Sequence, residues 1–309
     1  MNVRDAADIL VDDLLPRQRS LHLAVVTETY PPEVNGVAYL RRFHNRTACT
    51  MVPTETLRRE LDGCGFERLT VVARGVDTQR FDPARRCEAL RQSWGCAPAD
   101  RVLIYVGRLA PEKNLELLLR CHAQMVAVAP TLRQVFVGDG PARAALQARC
   151  PAAIYAGPRS GDELAAHYAS GDLFLFPSLT ETYGNVTTEA LASGLAVLAF
   201  DHAAAAHLIR DGNNGLLAPL GDEKAFVERA VRLAAQPDEA RALRPRARQT
   251  MLGHGWPRIV AQVEAVMSAA ARPGRPGCPA SIVAHAAVAS SLPQRMPAAH
   301  HPDPPEVLR

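Results

Sequence analysis

The chain has 309 residues, 48% of them hydrophobic and 22% charged, which is enough apolar material for two modest globular domains and argues against a disordered or fibrous protein. Its net charge of +3 is too small to argue for nucleic acid, although it permits loose peripheral contact with an anionic membrane face. Seven cysteines, odd in number and without a C-x-x-C pair, argue against a disulfide framework or a zinc site and fit a reducing, cytoplasmic setting.

Residues 1–20 carry Arg4, Asp5, Asp8, Asp12 and Asp13 without an apolar core, so they read as an extension rather than a secretory signal. Residues 21–75 read as a shortened Rossmann-like unit. Its strands are Leu21–Thr27, Thr47–Val52 and Leu69–Ala73; its helices are Tyr39–Arg46 and a segment capped at Thr54 with Thr56 to Leu61 inside it. That span is well under the roughly 100 residues usual for an independent domain, and so it should bury little apolar surface.

Residues 76–255 alternate short apolar strands with helical segments. The strands are Val102–Val106, Gln134–Val137, Ala153–Ala156, Leu173–Phe176 and Ala196–Phe200; the helices are Leu115–Val128, Ala142–Ala148, Asp162–Ala169, Val186–Ser193 and Glu223–Ala235. Continuous apolarity within each strand indicates a parallel sheet covered on both faces, a doubly wound α/β domain. Residues 256–271 form a C-terminal helix. Residues 272–309, rich in Pro, Ala and His, read as a disordered tail with a short helix near Ile282–Ala289. Apolar runs such as Leu195–Phe200 fall far short of the roughly 18 residues of a membrane span.

Three strand exits carry candidate chemistry. Gly107-Arg108 and Lys113-Asn114 follow the first strand of the large domain, placing two cations at the carboxyl edge where open α/β sheets bind ligands. A diphosphate whose charge must be neutralised suits that pair, while a surface Arg and a helix-start Lys are the bland alternative. Gly138-Asp139-Gly140-Pro141 opens the next helix, alone no more than a tight turn. Past Pro177 come Glu181 and Glu189, a spacing that helical surfaces also produce by chance. Asn185 is positioned to cap the helix between them, leaving the backbone N–H groups of Asn185, Val186 and Thr187 free to receive a phosphate.

Taken in order, these segments resemble the retaining nucleotide-sugar glycosyltransferases of family 4, with the two-domain GT-B fold. The matching pieces are Thr27–Val37, Gly75-Val76-Asp77 with Phe81, Gly107-Arg108 with Lys113-Asn114, Gly138–Pro141, Phe176-Pro177-Ser178 and Glu181–Glu189. The opening motif and the segment Tyr39–Thr47 look most like GDP-mannose-dependent lipid mannosyltransferases, with sulfoquinovosyl- and glucosyl-lipid synthases close behind. The resemblance implies that Arg108 and Lys113 hold the donor diphosphate, Glu189 the ribose hydroxyls and Glu181 the transferred hexose. The backbone of Tyr183, Gly184, Asn185 and Val186 completes these contacts; Gly107, Gly138, Asp139 and Gly140 line the same edge, and Gly36 lets the N-terminal loop close over the diphosphate. GDP-mannose is favoured over a UDP-sugar, no metal or other cofactor is expected, and the acceptor is a lipid or glycan at the inner membrane face.

One departure matters. The family continues after Val37 with a long run of strands and helices that this chain lacks, and His44 lies after the gap and takes no catalytic role. Two readings therefore follow: a hexosyltransferase, mannosyl ahead of other hexoses, or a catalytically impaired nucleotide-sugar-binding remnant. An epimerase or phosphorylase of similar fold ranks last, because neither Lys113 nor Lys224 sits in an obvious cofactor pocket.

Overall fold

The computed structural model describes residues 41–270 other than 43 and 182. The strand expected at Leu21–Thr27, the loop Tyr30–Gly36 with Gly36, the extension 1–20 and residues 272–309 lie outside the described residues. Among those described, the strands build one two-stranded and one six-stranded sheet, both parallel throughout.

The small sheet pairs β1 (Thr50–Val52) with β2 (Leu69–Val71) around the helix Glu55–Gly63. Thr54 caps that helix, its hydroxyl accepting from the Leu57 amide, as the sequence leads one to expect. Its core is small: Val52, Phe66 and Leu69 are buried, with Leu57, Leu61 and Val71 packed on them.

The large sheet contains β3 (Val102–Val106), β4 (Arg133–Val137), β5 (Ile154–Gly157), β6 (Leu173–Phe176), β7 (Ala196–Phe200) and β8 (Leu216–Ala218), in the order β5-β4-β3-β6-β7-β8. Counted within this sheet, that is the doubly wound order 3-2-1-4-5-6. Every residue of β3, β6 and β7 is buried, because helices cover both faces. The helices Leu115–Val128 and Glu223–Ala235 pack together, and Pro237–Leu252 packs on Asn185–Ala192. No helix among the described residues is long and apolar enough to cross a membrane.

Among the elements that go beyond the sequence reading, three show what it could not see. β8 is a three-residue strand, too short for a period to show. The helix Ala203–Leu208 starts at Ala203 in the left-handed region, φ 52°, which no propensity argument favours. The helix Pro237–Leu252 runs through Pro245, a residue that normally ends a helix. Tertiary bonds offset that cost. Arg244 donates to the Gly194 carbonyl and to Asp172, and Arg248 to the carbonyls of Phe81, Ala192 and Thr78.

Asp172, at the foot of β6, anchors the amino edge of the sheet. Its carboxylate meets Arg86 at 3.1 Å, Arg91 at 3.0 Å and Arg244 at 3.0 Å, and accepts from the Val102 amide at 2.9 Å. Arg91 is itself wholly buried, donating to the Ser170 and Asp100 carbonyls. A lone buried charge is costly, so removing the shared anion strands the cations around it. Asp172→Asn is expected to lower stability to urea by about 3–5 kcal/mol; a loss below about 1 kcal/mol would show that the arginines find other partners.

Candidate active site

The strand order reverses between β3 and β6, so the loops leaving these two strands diverge and open a crevice at the carboxyl edge. The three loops bearing Arg108, Asp139 and Glu181 all leave the same edge, since all six strands are parallel.

The loops after β3 and β4 are joined by backbone. Gly107 N–H donates to the Val137 carbonyl, Leu109 N–H to Asp139, and Ala142 N–H to Leu109. The approach is close enough to exclude side chains. A Cβ on Gly138 would lie 2.0 Å from the Gly107 oxygen, and one on Gly140 2.4 Å from the Leu109 oxygen. The requirement for glycine at 138 and 140 therefore comes from loop-on-loop packing. Asp139 likewise serves its own turn, accepting from the Gly140 amide and from Arg143.

Across the crevice, Lys113 Nζ meets Glu181 Oε1 at 2.5 Å, and the buried Ser178 hydroxyl donates to the same oxygen at 2.8 Å. Both charged side chains are mostly shielded from solvent, at 20% and 16% exposure. Lys113 closes a 3-10 turn, Pro111–Lys113, and Asn114 beyond it is left-handed at φ 51°. Arg108, by contrast, extends into solvent beside Glu112, 3.5 Å away, and does not join Lys113.

The helix Asn185–Ala192 begins one residue earlier than the sequence suggests. Gly184, at φ 88°, occupies the cap position, and Asn185 is the first helical residue rather than the cap. Of the three amides expected to face an anion, that of Thr187 is taken by the Gly184 carbonyl at 3.0 Å. Those of Asn185 and Val186 have no acceptor within the helix by virtue of their place in its first turn. Tyr183 is buried, its hydroxyl donating to the Arg74 carbonyl and its own carbonyl accepting from Ala204, so it clasps the chain leaving β2 to the large sheet. Burial pushes its phenol up to about 12.

Glu189 lies in the second turn, half-buried, with Oε2 accepting from the Tyr168 hydroxyl at 2.9 Å. Oε1 has no hydrogen-bond partner among the described residues and reaches solvent. Beside Glu181 a cleft of about 400 Å³ opens toward the small unit, lined by Thr54, Thr56, Leu57, Glu60, Thr180, His202 and Ala203. The sequence reading gave no role to Ser178, Tyr168 or His202. Ser178 was visible as part of the Phe-Pro-Ser run, whereas nothing local marks the other two. His44, given no catalytic role, pairs with the Thr50 hydroxyl at 3.0 Å on the small unit. Among the described residues no group of His, Cys, Asp and Glu is assembled to hold a metal.

Burial raises the Glu189 carboxyl above its ordinary 4.5, opposed in part by the Tyr168 hydrogen bond. Between 4.5 and the raised value the folded state binds more protons than the unfolded, so stability falls as pH rises through that window. The cost is fully present above the raised value. Glu189→Gln, which keeps an acceptor for Tyr168, should raise Tm at pH above the raised carboxyl value, with the gain vanishing as pH falls below 4.5. A lower Tm there, or a gain that grows on acidification, would contradict this.

Residues 100–236, which span the whole large sheet, match the family described as glycosyl transferases group 1. The chain is 39% identical over 221 residues to a GDP-mannose-dependent alpha-mannosyltransferase of Mycobacterium tuberculosis, covering 71% of this chain and 56% of that protein. It is 31% identical over 226 residues to the sulfoquinovosyl transferase SQD2 of Arabidopsis thaliana, covering 70% and 44%. Among solved structures, Anabaena HepE in complex with UDP and glucose aligns with TM-score 0.65 at 20% identity, covering 75% of this chain and 66% of that one. Sucrose-phosphate synthase from Thermosynechococcus elongatus aligns with TM-score 0.67 at 20% identity, covering 79% and 64%. The chain thus has the GT-B type of fold and spans about half the length of the curated relatives it matches, in keeping with a shortened N-terminal unit. The large parallel sheet, with the crevice between β3 and β6, is a domain of the group 1 glycosyl transferases.

Proposed function

We propose that the chain binds a nucleoside-diphosphate sugar in this crevice, GDP-mannose ahead of UDP-sugars, and transfers the hexose with retention to a lipid or glycan acceptor. The observation that carries the reading is the Lys113–Glu181 pair at the switch point, flanked by the amides that open the helix Asn185–Ala192. A bound diphosphate draws Lys113 to its oxygens and receives the amides of Asn185 and Val186, with the mobile reach of Arg108 adding a second cation. Glu181, released from Lys113, accepts from a hexose hydroxyl, and Glu189 accepts from the ribose.

The bond from the sugar C1 to the diphosphate oxygen breaks, and the acceptor oxygen bonds C1 on the same face. The acceptor proton passes to the departing diphosphate. Lys113, Arg108 and the helix start offset the charge that develops on the leaving group, so the scheme assigns that work to protein groups rather than to a metal ion. The cleft of about 400 Å³ beside Glu181 is where an acceptor hydroxyl would enter. A relative acting on GDP-mannose supports the choice of donor, and a lipid acceptor would bring the chain to an anionic membrane face from the cytoplasmic side.

A second reading is favoured by the small unit. Its described sheet has two strands and a core of three buried apolar residues, little with which to shape an acceptor site. On that reading the donor binds and transfer fails.

Calorimetry with GDP, UDP and their mannose and glucose derivatives tests the donor site. GDP is expected to bind, and Lys113→Ala or Glu189→Ala to weaken it about tenfold to a hundredfold, the loss of one charge-assisted hydrogen bond. Absence of nucleotide binding at millimolar concentration to a demonstrably folded chain would end the proposal. Release of GDP from GDP-mannose on addition of a lipid acceptor then separates the transferase from the binding remnant.

A further inference from the structure

We propose that Tyr168, acting from inside the core, is a positioning residue that fixes Glu189 so that one carboxylate oxygen is pinned inward and the other is presented to the ribose hydroxyls. The inference rests on the ribose assignment above and adds the residue that makes it work.

Tyr168 is completely buried on the helix Gly161–Ser170. Its ring meets Phe81 edge-on, centroids 5.7 Å apart, and lies tilted against Phe174 at 6.1 Å, so the phenol has little freedom to reorient. Its hydroxyl donates to Glu189 Oε2 at 2.9 Å. Burial and then the neighbouring carboxylate push the ionisation of this phenol far upward, so it remains a donor at any working pH. Oε1 of the same carboxylate has no partner among the described residues and meets solvent. A carboxylate oxygen has lone pairs enough to accept from both hydroxyls of a cis-diol.

The arrangement is expensive for a tyrosine that merely fills space. A buried phenol could be satisfied by a carbonyl, at no cost in carboxylate desolvation. Here the hydrogen bond is instead made to a charged group whose remaining oxygen is open to ligand, and that asymmetry gives the contact its function.

The test compares affinity for GDP and 2′,3′-dideoxy-GDP by calorimetry on the full chain, as wild type, Tyr168→Phe, Glu189→Ala and the double variant. The wild type should prefer GDP by about tenfold or more. Tyr168→Phe should bring the two ligands within about threefold by weakening GDP alone, the dideoxy affinity serving as the check that the site is folded. With the acceptor of the Tyr168 hydroxyl already removed, the double variant should match Glu189→Ala for both ligands. A Tyr168→Phe variant that keeps the wild-type preference, or that weakens both ligands equally, overturns the inference, as does a double variant weaker than Glu189→Ala. A wild type that binds GDP but does not distinguish it from its dideoxy form refutes the ribose assignment itself, and this inference with it.

Discussion

Everything proposed for this molecule depends on one contact, Lys113 with Glu181, between residues 68 positions apart. They meet because β3 and β6 are neighbours in the sheet, and β3 and β6 are neighbours because the winding reverses there. The register Leu103↔Leu173 and Ile104↔Phe174 brings the two strand ends level, so the loops above them face each other across a narrow gap. A cation and an anion left alone in such a gap pair with each other. A diphosphate sugar carries the complements of both, a polyanion for Lys113 and hydroxyls for Glu181, and so replaces one internal ion pair with two external contacts. The pair keeps each group from facing a partly buried site uncompensated.

The two edges of the sheet have opposite chemistry, and the division has a physical basis. At the amino edge Asp172 gathers the half-buried Arg86 and Arg244 and the buried Arg91 into one network that ties β3 and β6 to the segments bearing these arginines. At the carboxyl edge the loops are joined by backbone through Gly107, Gly138 and Gly140, leaving side chains free to face the crevice. Rigidity is concentrated where no ligand comes. The open edge is shaped by main chain, whose position does not depend on rotamers, and this preorganises the crevice without filling it.

Much of this was legible in the sequence. The strands Val102–Val106, Leu173–Phe176 and Ala196–Phe200 and the helices Leu115–Val128 and Glu223–Ala235 could be bounded to the residue, because buried parallel strands have unbroken apolarity and their helices begin and end at clear signals. Arg108, Lys113 and Glu181 stood out as charges in the loops that leave strands, and Glu189 by its spacing from Glu181. What stayed hidden depends on tertiary contact. The helix through Pro245 is held by Arg244 and Arg248 reaching distant carbonyls, and Ala203 adopts a left-handed conformation that no local preference supports. Asn185 looked like a cap, but Gly184 takes the left-handed cap position that a glycine tolerates better. Nothing local marked Tyr168; the role proposed for it follows from the carboxylate it meets, 21 positions away.

The most direct measurement is a crystal structure of the chain bound to GDP-mannose. The account predicts the diphosphate between Lys113 and the amides of Asn185 and Val186, the Lys113–Glu181 contact opened, the mannose against Glu181 and the ribose hydroxyls on Glu189. Nucleotide bound elsewhere, or seated in the crevice with Lys113 still paired to Glu181, would contradict it.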